Sequence, residues 1–156
     1  MNETSRPENA LCLLVSRITA QLRTAIEHDL SEFGVTARQL PVMVLTHTGR
    51  ANRPSELAQL IGIDRGAVTR LVDRLVEKGL VRRADDPGDL RAARIELTER
   101  GRTLVPVLRA IVEARYEATL AHLEPDERGL LLSMLTRLDR ALAPDTAVVR
   151  KAGAGG

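Results

Sequence analysis

The run SELAQLIGIDRGAVTRLVDRLVEKG, Ser55 to Gly79, constrains the fold of this chain more than any other stretch. Pro54 or Ser55 opens a short helix with Leu57, Ala58 and Leu60 inward, and Gly62 closes it. Two residues on, Asp64 supplies an N-cap for a second helix, whose Val68, Leu71, Val72, Leu75 and Val76 recur at helical spacing. Gly79 supplies its C-terminal cap. Two short helices joined by a tight glycine-containing turn form a helix-turn-helix, and the second of the pair is the one shaped to enter a groove.

The outer face of that second helix carries Arg65, Thr69, Arg70 and Arg74. Arginines near a helix N-terminus present forked donors that match a phosphate or a guanine edge. The charge distribution points the same way. Between Arg50 and Arg83 stand eight basic residues against four acidic ones, a local +4 in a chain whose total is +2, so the remainder is at −2. A basic centre with mildly acidic flanks is the electrostatic footprint of a nucleic-acid face on a scaffold.

Around this motif the periodicity is mostly helical. Leu11, Leu14, Val15, Ile18, Leu22, Ile26 and Phe33 predict a long first helix ending near Gly34, and Cys12 and Leu13 widen its apolar surface beyond what its own domain covers. TARQLPVMVLTHTG predicts a second helix from an N-cap at Thr36 to a stop at Gly49, with Pro41 early enough to be tolerated. After Gly79 the period changes: LVRRA and RIELT predict two strands, with Ile95 and Leu97 inward and Arg94 and Glu96 outward, around a turn-rich tip DDPGDLRAA. A long helix from an N-cap at Thr98 to about His122 follows. The last helix places Leu131, Leu135, Leu138 and Leu142 on one seam, and the tail from Ala143 is expected to be flexible. Aromatic residues make up only 1% of the chain, so the core is built from Leu, Val, Ile and Ala. The expected fold class is mainly α with a small β-hairpin wing.

This order of elements resembles the MarR family of winged helix-turn-helix transcription regulators over roughly Asn9 to Leu142. The residues that carry the resemblance are SELAQLIGIDRGAVTRLVDRLVEKGLVRR and the wing pattern Asp89, Arg91, Leu97, Thr98 and Gly101. The chain departs from the family at Leu90, where a basic residue is commoner. The resemblance implies a homodimer with dimerisation helices at 9–34 and 102–142, a DNA-binding part at 36–101 and a tail at 143–156. It implies that Arg65, Thr69 and Arg70 meet bases and nearby phosphates. Arg74, Arg53 and Ser55 then meet the backbone, and Arg91 enters a flanking minor groove. Asp89 braces the wing, Arg94 joins the DNA-binding set, and Asp73 orients Arg70 or Arg74. The implied partners are double-stranded DNA, a second copy of the chain, and a small effector such as an aromatic acid, with His47 and Arg17 as candidate carboxylate holders.

Cys12 sits where a peroxide-sensing subgroup of that family carries its reactive cysteine. That chemistry draws on neighbouring tyrosines, and here the corresponding places hold Ser16, Ile26 and Ala37, with the single tyrosine at Tyr116. The weight therefore falls on a buried, structural cysteine. His28, His47 and His122 are scattered, so no metal or other cofactor is expected. There is no phosphate loop, nucleophile elbow or His-Glu metal motif, so no enzyme is expected either. One cysteine and the lack of a long apolar run point to an unprocessed cytoplasmic protein away from membranes. A winged helix used only for protein contact is the alternative from another class.

Overall fold

The computed structural model describes residues 7–86 and 89–142, with side chains over 10–85 and 93–142. The expected tip at Pro87 and Gly88 and the tail from Ala143 lie outside the described residues. The elements are α1 (Pro7–Leu30), a 3-10 turn (Ser31–Phe33), α2 (Leu40–His47), α3 (Pro54–Ile61), α4 (Arg65–Glu77), β1 (Val81–Asp86), β2 (Asp89–Leu97), α5 (Glu99–Leu120) and α6 (Pro125–Leu142). The chain is thus mostly helical with one antiparallel hairpin. Among the described residues no helix is long and apolar enough to cross a membrane.

The chain divides into two compact units, one running to Tyr116 and one from Glu117. The core of the first is aliphatic. Leu30, Val42, Met43, Leu57, Val68, Val72, Leu75, Val105 and Leu108 are fully buried, and such side chains contribute about 1.5–3 kcal/mol each when taken out of water. The first four turns of α5 belong to this core through Val105, Leu108 and Val112. Leu60 and Val76, read from the sequence as inward, are exposed. On α3 the buried stripe follows Leu57, Ala58 and Ile61, and on α4 it follows Val68, Leu71, Val72 and Leu75, so each outlier falls just past the stripe's edge.

Local chemistry fixes the joints. Gly34 turns the chain out of the 3-10 segment at φ 64°, a left-handed conformation that glycine adopts without strain. The second helix starts later than the sequence suggests. Thr36 and Gln39 bond reciprocally, the Thr36 hydroxyl accepting from the Gln39 N–H and the Gln39 side chain accepting from the Thr36 N–H, and the regular helix runs from Leu40. The hairpin pairs Val81 with Leu97 and Asp85 with Ala93, with an irregularity before Asp86 pairs with Asp89. The strands therefore reach almost to the tip, and the nine-residue turn expected from DDPGDLRAA is much shorter. The outer pairs, Asp85 with Ala93 and Asp86 with Asp89, are set by backbone groups, and their sequence offers no apolar alternation to read.

The base of the wing is anchored on three sides. Ile95 N–H donates to Asn52 O at 2.7 Å, and Thr98 donates to Leu80 O and Gly79 O. Thr98 Oγ1 also accepts from Gly101 N–H as the N-cap of α5. Gly101 lies against the Leu80 carbonyl so closely that a Cβ would come within 2.1 Å of its oxygen. Further along α5, Arg115 grips Asp29 of α1 with two bonds of 2.7 Å. This hydrogen bonding outweighs partial desolvation and holds the Asp29 carboxyl below its ordinary range while raising Arg115.

The outer half of α1 leaves the core: Leu11, Leu14, Val15 and Ile18 are exposed, and so is Cys12. The expected burial of Cys12 does not hold within this chain, because the helix here has no core element against which to lay it. In the second unit α6 presents Leu131, Leu135, Leu138 and Leu142 to solvent in the same way.

Candidate nucleic-acid interface

The turn between α3 and α4 is built from local signals. Gly62, at φ 76°, takes the left-handed cap of α3, and its N–H and that of Ile63 both return to Ala58 O. At the other end of α3, Glu56 reaches back to accept from the N–H groups of Asn52 and Arg53, which leaves Arg53 as the N-cap and Ser55 exposed in the first turn. Asp64 then caps α4, its carboxylate accepting from Ala67 N–H at 2.8 Å. Val68, Val72 and Leu75 bury the inner face of α4, so its rotation is set and Arg65, Thr69, Arg70 and Arg74 stand outward, all exposed.

Among the described residues, none of Arg65, Arg70 and Arg74 has a carboxylate partner. The acids of α4 that could quench them are engaged elsewhere or unpaired with them. Asp64 is the cap, and Asp73 accepts from Arg83 of β1 at 2.6 Å. Asp73 therefore orients the root of the wing and not Arg70 or Arg74, since β1 runs directly from the end of α4 past its third turn. Thr69 directs its hydroxyl proton to Arg65 O at 2.9 Å, leaving its methyl and lone pairs outward. Gly66 leaves room beside the first turn: a Cβ there would lie 3.0 Å from Asp64 Oδ1 and 3.5 Å from an Nη of Arg70. The Arg70 contact would be an ordinary van der Waals one, so the group that would have to give way to a side chain at Gly66 is the capping carboxylate of Asp64.

Sequence reasoning missed the two cations that hold this surface in place. Arg83 ties β1 to α4 through Asp73. Lys78, the C-cap of α4, donates to Gly34 O at 2.6 Å and to the side-chain oxygen of the buried Gln39 at 2.9 Å. Helix α4 is thereby fastened at its far end to the corner between α1 and α2. Only a pairing across 39 and 44 positions creates that link, so nothing local in the sequence signals it.

The remaining candidates are spread out. Asp89 and Arg91 lie on the backbone of β2, and their side chains are outside the described residues. Arg94 pairs with Glu96, which also binds Arg82 across the hairpin; the Arg82 bond leads the causes that hold the Glu96 carboxyl below its ordinary range. A cleft of about 630 Å³ between α1 and the helix-turn-helix is lined by Arg23, Arg38, Arg70 and Arg74 with Pro41, Ile61, Ile63 and Leu71 among its apolar walls. His47 lines a different cleft, at the base of the wing, and Arg17 stands on the exposed part of α1 and lines neither. The structure does not bring Arg17 and His47 together at a cleft.

The MarR family model matches residues 33–92, from the end of the 3-10 turn into β2. Among solved structures, a point variant of MarR from E. coli complexed with operator DNA is similar at 26% identity and a TM-score of 0.80, over 88% of this chain and 99% of that one. CouR from Rhodococcus jostii RHA1, bound to p-coumaroyl-CoA, is similar at 27% identity and a TM-score of 0.77, over 90% and 97% of the two chains. A transcriptional regulator of the same family from Rhodococcus sp. RHA1 aligns at 26% identity and a TM-score of 0.74, over 86% and 95%.

Proposed function

Because the chain belongs to the MarR family of winged-helix transcription regulators, we propose that it acts as a homodimeric repressor, reading a pseudo-palindromic operator and releasing it in response to a small anionic effector. The observation that carries the reading is the outward face of α4, where three exposed arginines stand without carboxylate partners while the nearby acids serve the cap and the wing root. With no carboxylate on them, these guanidinium forks keep their donors for phosphates and base edges.

In this reading Arg65, Thr69 and Arg70 meet bases in the major groove, and Arg74, Arg53 and Ser55 contact the backbone. Arg91 enters the flanking minor groove from the wing, braced by Asp89. Arg94, whose Nη2 is engaged with Glu96, stands at the base of the wing, outside the base-reading group. The exposed apolar stripes of α1 and α6 support association with a second copy, the commonest solution for self-complementary surfaces. The complex of the E. coli relative with operator DNA is the precedent for the partner.

The effector fits the 630 Å³ cleft between α1 and α4. An organic acid seated there would hold Arg70 and Arg74 away from DNA by pairing them with its carboxylate. CouR, which binds p-coumaroyl-CoA, provides the analogy for a ligand of that kind. Selection from a random DNA library tests the proposal by letting the protein choose its own operator. Enrichment of a two-fold symmetric site, with half-sites about one helical turn apart, is the expected result. Failure to enrich any sequence would favour a winged helix whose partner is protein.

A further inference from the structure

A second cleft, of about 360 Å³, lies at the base of the wing between the end of α2, the segment at Asn52, β2 and the first turn of α5. The DNA-reading face described above does not use it. Its polar lining is Thr46, His47, Asn52, Arg94, Glu96 and Arg102, with Ile95 and Leu97 beneath. Two atoms in these walls, Thr46 Oγ1 and Arg94 Nε, are buried and have no hydrogen-bond partner. Folded proteins leave few such atoms, because a buried donor without a partner loses its water and gains nothing in return.

Thr46 is the informative one. Thr24, Thr69, Thr103 and Thr136 each donate the hydroxyl to the carbonyl four residues back in their helices. Thr46, also helical, makes no such bond, so its buried hydroxyl is left unsatisfied in a residue of the cleft wall. The charges select what the cleft would take. Glu96 is the acid of the lining, and both its oxygens are taken, one by Arg82 and one by Arg94. What remains unmatched is donor capacity: Arg94 Nε–H, the Thr46 hydroxyl and the Arg102 guanidinium, which has no ion-pair partner among the described residues. A site rich in unmatched donors, with its acid already satisfied, suits an oxyanion.

We propose that this cleft is an oxyanion site, taking a carboxylate or phosphate group, with Arg94 Nε and Thr46 Oγ1 donating from the inside and Arg102 closing from the rim. Because Glu96 pairs with Arg94 on its own strand and with Arg82 across the hairpin, an anion bound to Arg94 bears on the root of the wing. The same chemistry has two sources: a free small anion, or a backbone phosphate of DNA lying beside the wing.

Inorganic phosphate is the probe, titrated into the DNA-free full-length chain at constant ionic strength against chloride, with the melting temperature and heat of binding as readouts. A saturable rise is expected for the wild type, lost in Thr46→Val and Arg102→Gln and kept in Arg74→Gln, which lines the other cleft. Thr46→Val removes a hydroxyl that makes no internal bond, so without phosphate it should melt no lower than the wild type. No saturable rise, or one unaffected by both substitutions, overturns the site. Since no DNA is present, failure of the operator reading would leave this result untouched. With the site in hand, a salt series on DNA separates the sources: Arg102→Gln flattens the slope of log K against log salt by about one if a DNA phosphate occupies it, and leaves the slope unchanged if a free anion does.

Discussion

Gly101→Ala is the substitution whose effect the structure fixes most closely. In an ordinary helix this change would stabilise by about 1 kcal/mol through propensity alone. Here the new Cβ would fall 2.1 Å from Leu80 O and 3.1 Å from both Leu80 C and a methyl of Leu97. A carbon and a carbonyl oxygen need about 1 Å more. The obstacle is backbone, so either α5 or the start of β1 must move. Leu80 O accepts from the Thr98 N–H at 3.1 Å and from its hydroxyl at 3.2 Å, so the displacement also weakens two bonds that join the wing to α5. With about 1 kcal/mol for each bond and 1–3 for overpacking, less the propensity gain, the net cost is roughly 2–4 kcal/mol. For a chain of this size that lowers the melting temperature by about 5–15 °C. Thermal and urea unfolding followed by far-ultraviolet circular dichroism measure it. Gly129→Ala in α6 is the control: its Cβ would meet nothing within 4 Å, so it should be neutral or stabilising by up to about 1 kcal/mol. A Gly101→Ala protein that melts with or above the wild type would refute the close-approach argument.

Three further outcomes are expected. Asp64→Ala removes the cap of α4 and should cost about 1 kcal/mol in urea unfolding and loosen the turn that carries Arg65; an unchanged midpoint would show that the cap is not needed. Arg91→Ala should weaken binding to selected DNA more than to scrambled DNA, whereas Arg74→Ala should weaken both alike and reduce the salt slope by about one; equal effects from Arg91→Ala would end the minor-groove assignment. Asp29, whose carboxyl is depressed by its bonds to Arg115, adds stability that is present above its ordinary value of 3.8 and is lost as pH falls through the lower folded value. Asp29→Asn should therefore melt lower than the wild type near neutrality, with the gap closing below about pH 3.8, and a gap that stays constant with pH would assign the loss to packing.

The parts of this molecule that were legible in its sequence are those set within a few residues. Pro54, Gly62 and Asp64 mark the ends of α3 and α4 because caps and left-handed turns act over one helical turn. The wing was legible as two strands through Ile95 and Leu97, but not its length, since Asp85 to Ala93 pair through backbone groups with no apolar alternation to reveal it. Contacts between distant segments were not legible at all. Asp73 sits beside Arg74 and one turn from Arg70, yet its carboxylate goes to Arg83, because the fold returns β1 along that side of α4. Lys78 carries no local sign of its bonds to Gly34 and Gln39, which lie 44 and 39 positions away in the chain. Gly66 and Gly101 carried no conformational signal, and their use is the space beside them. Cys12 has an apolar neighbourhood in sequence, yet within this chain that neighbourhood is an exposed helix face.

The central claim is that the unpaired arginine face of α4 reads sequence. Its most direct test is the ratio of affinities for selected and scrambled duplexes, by fluorescence anisotropy at one fixed salt concentration, for the wild type and for Arg65→Ala and Arg70→Ala. Each forked contact with a base edge contributes about 1–3 kcal/mol of discrimination, so the account predicts that the ratio falls roughly 5- to 150-fold in at least one variant while binding to scrambled DNA changes far less. A ratio that survives both substitutions intact would contradict it.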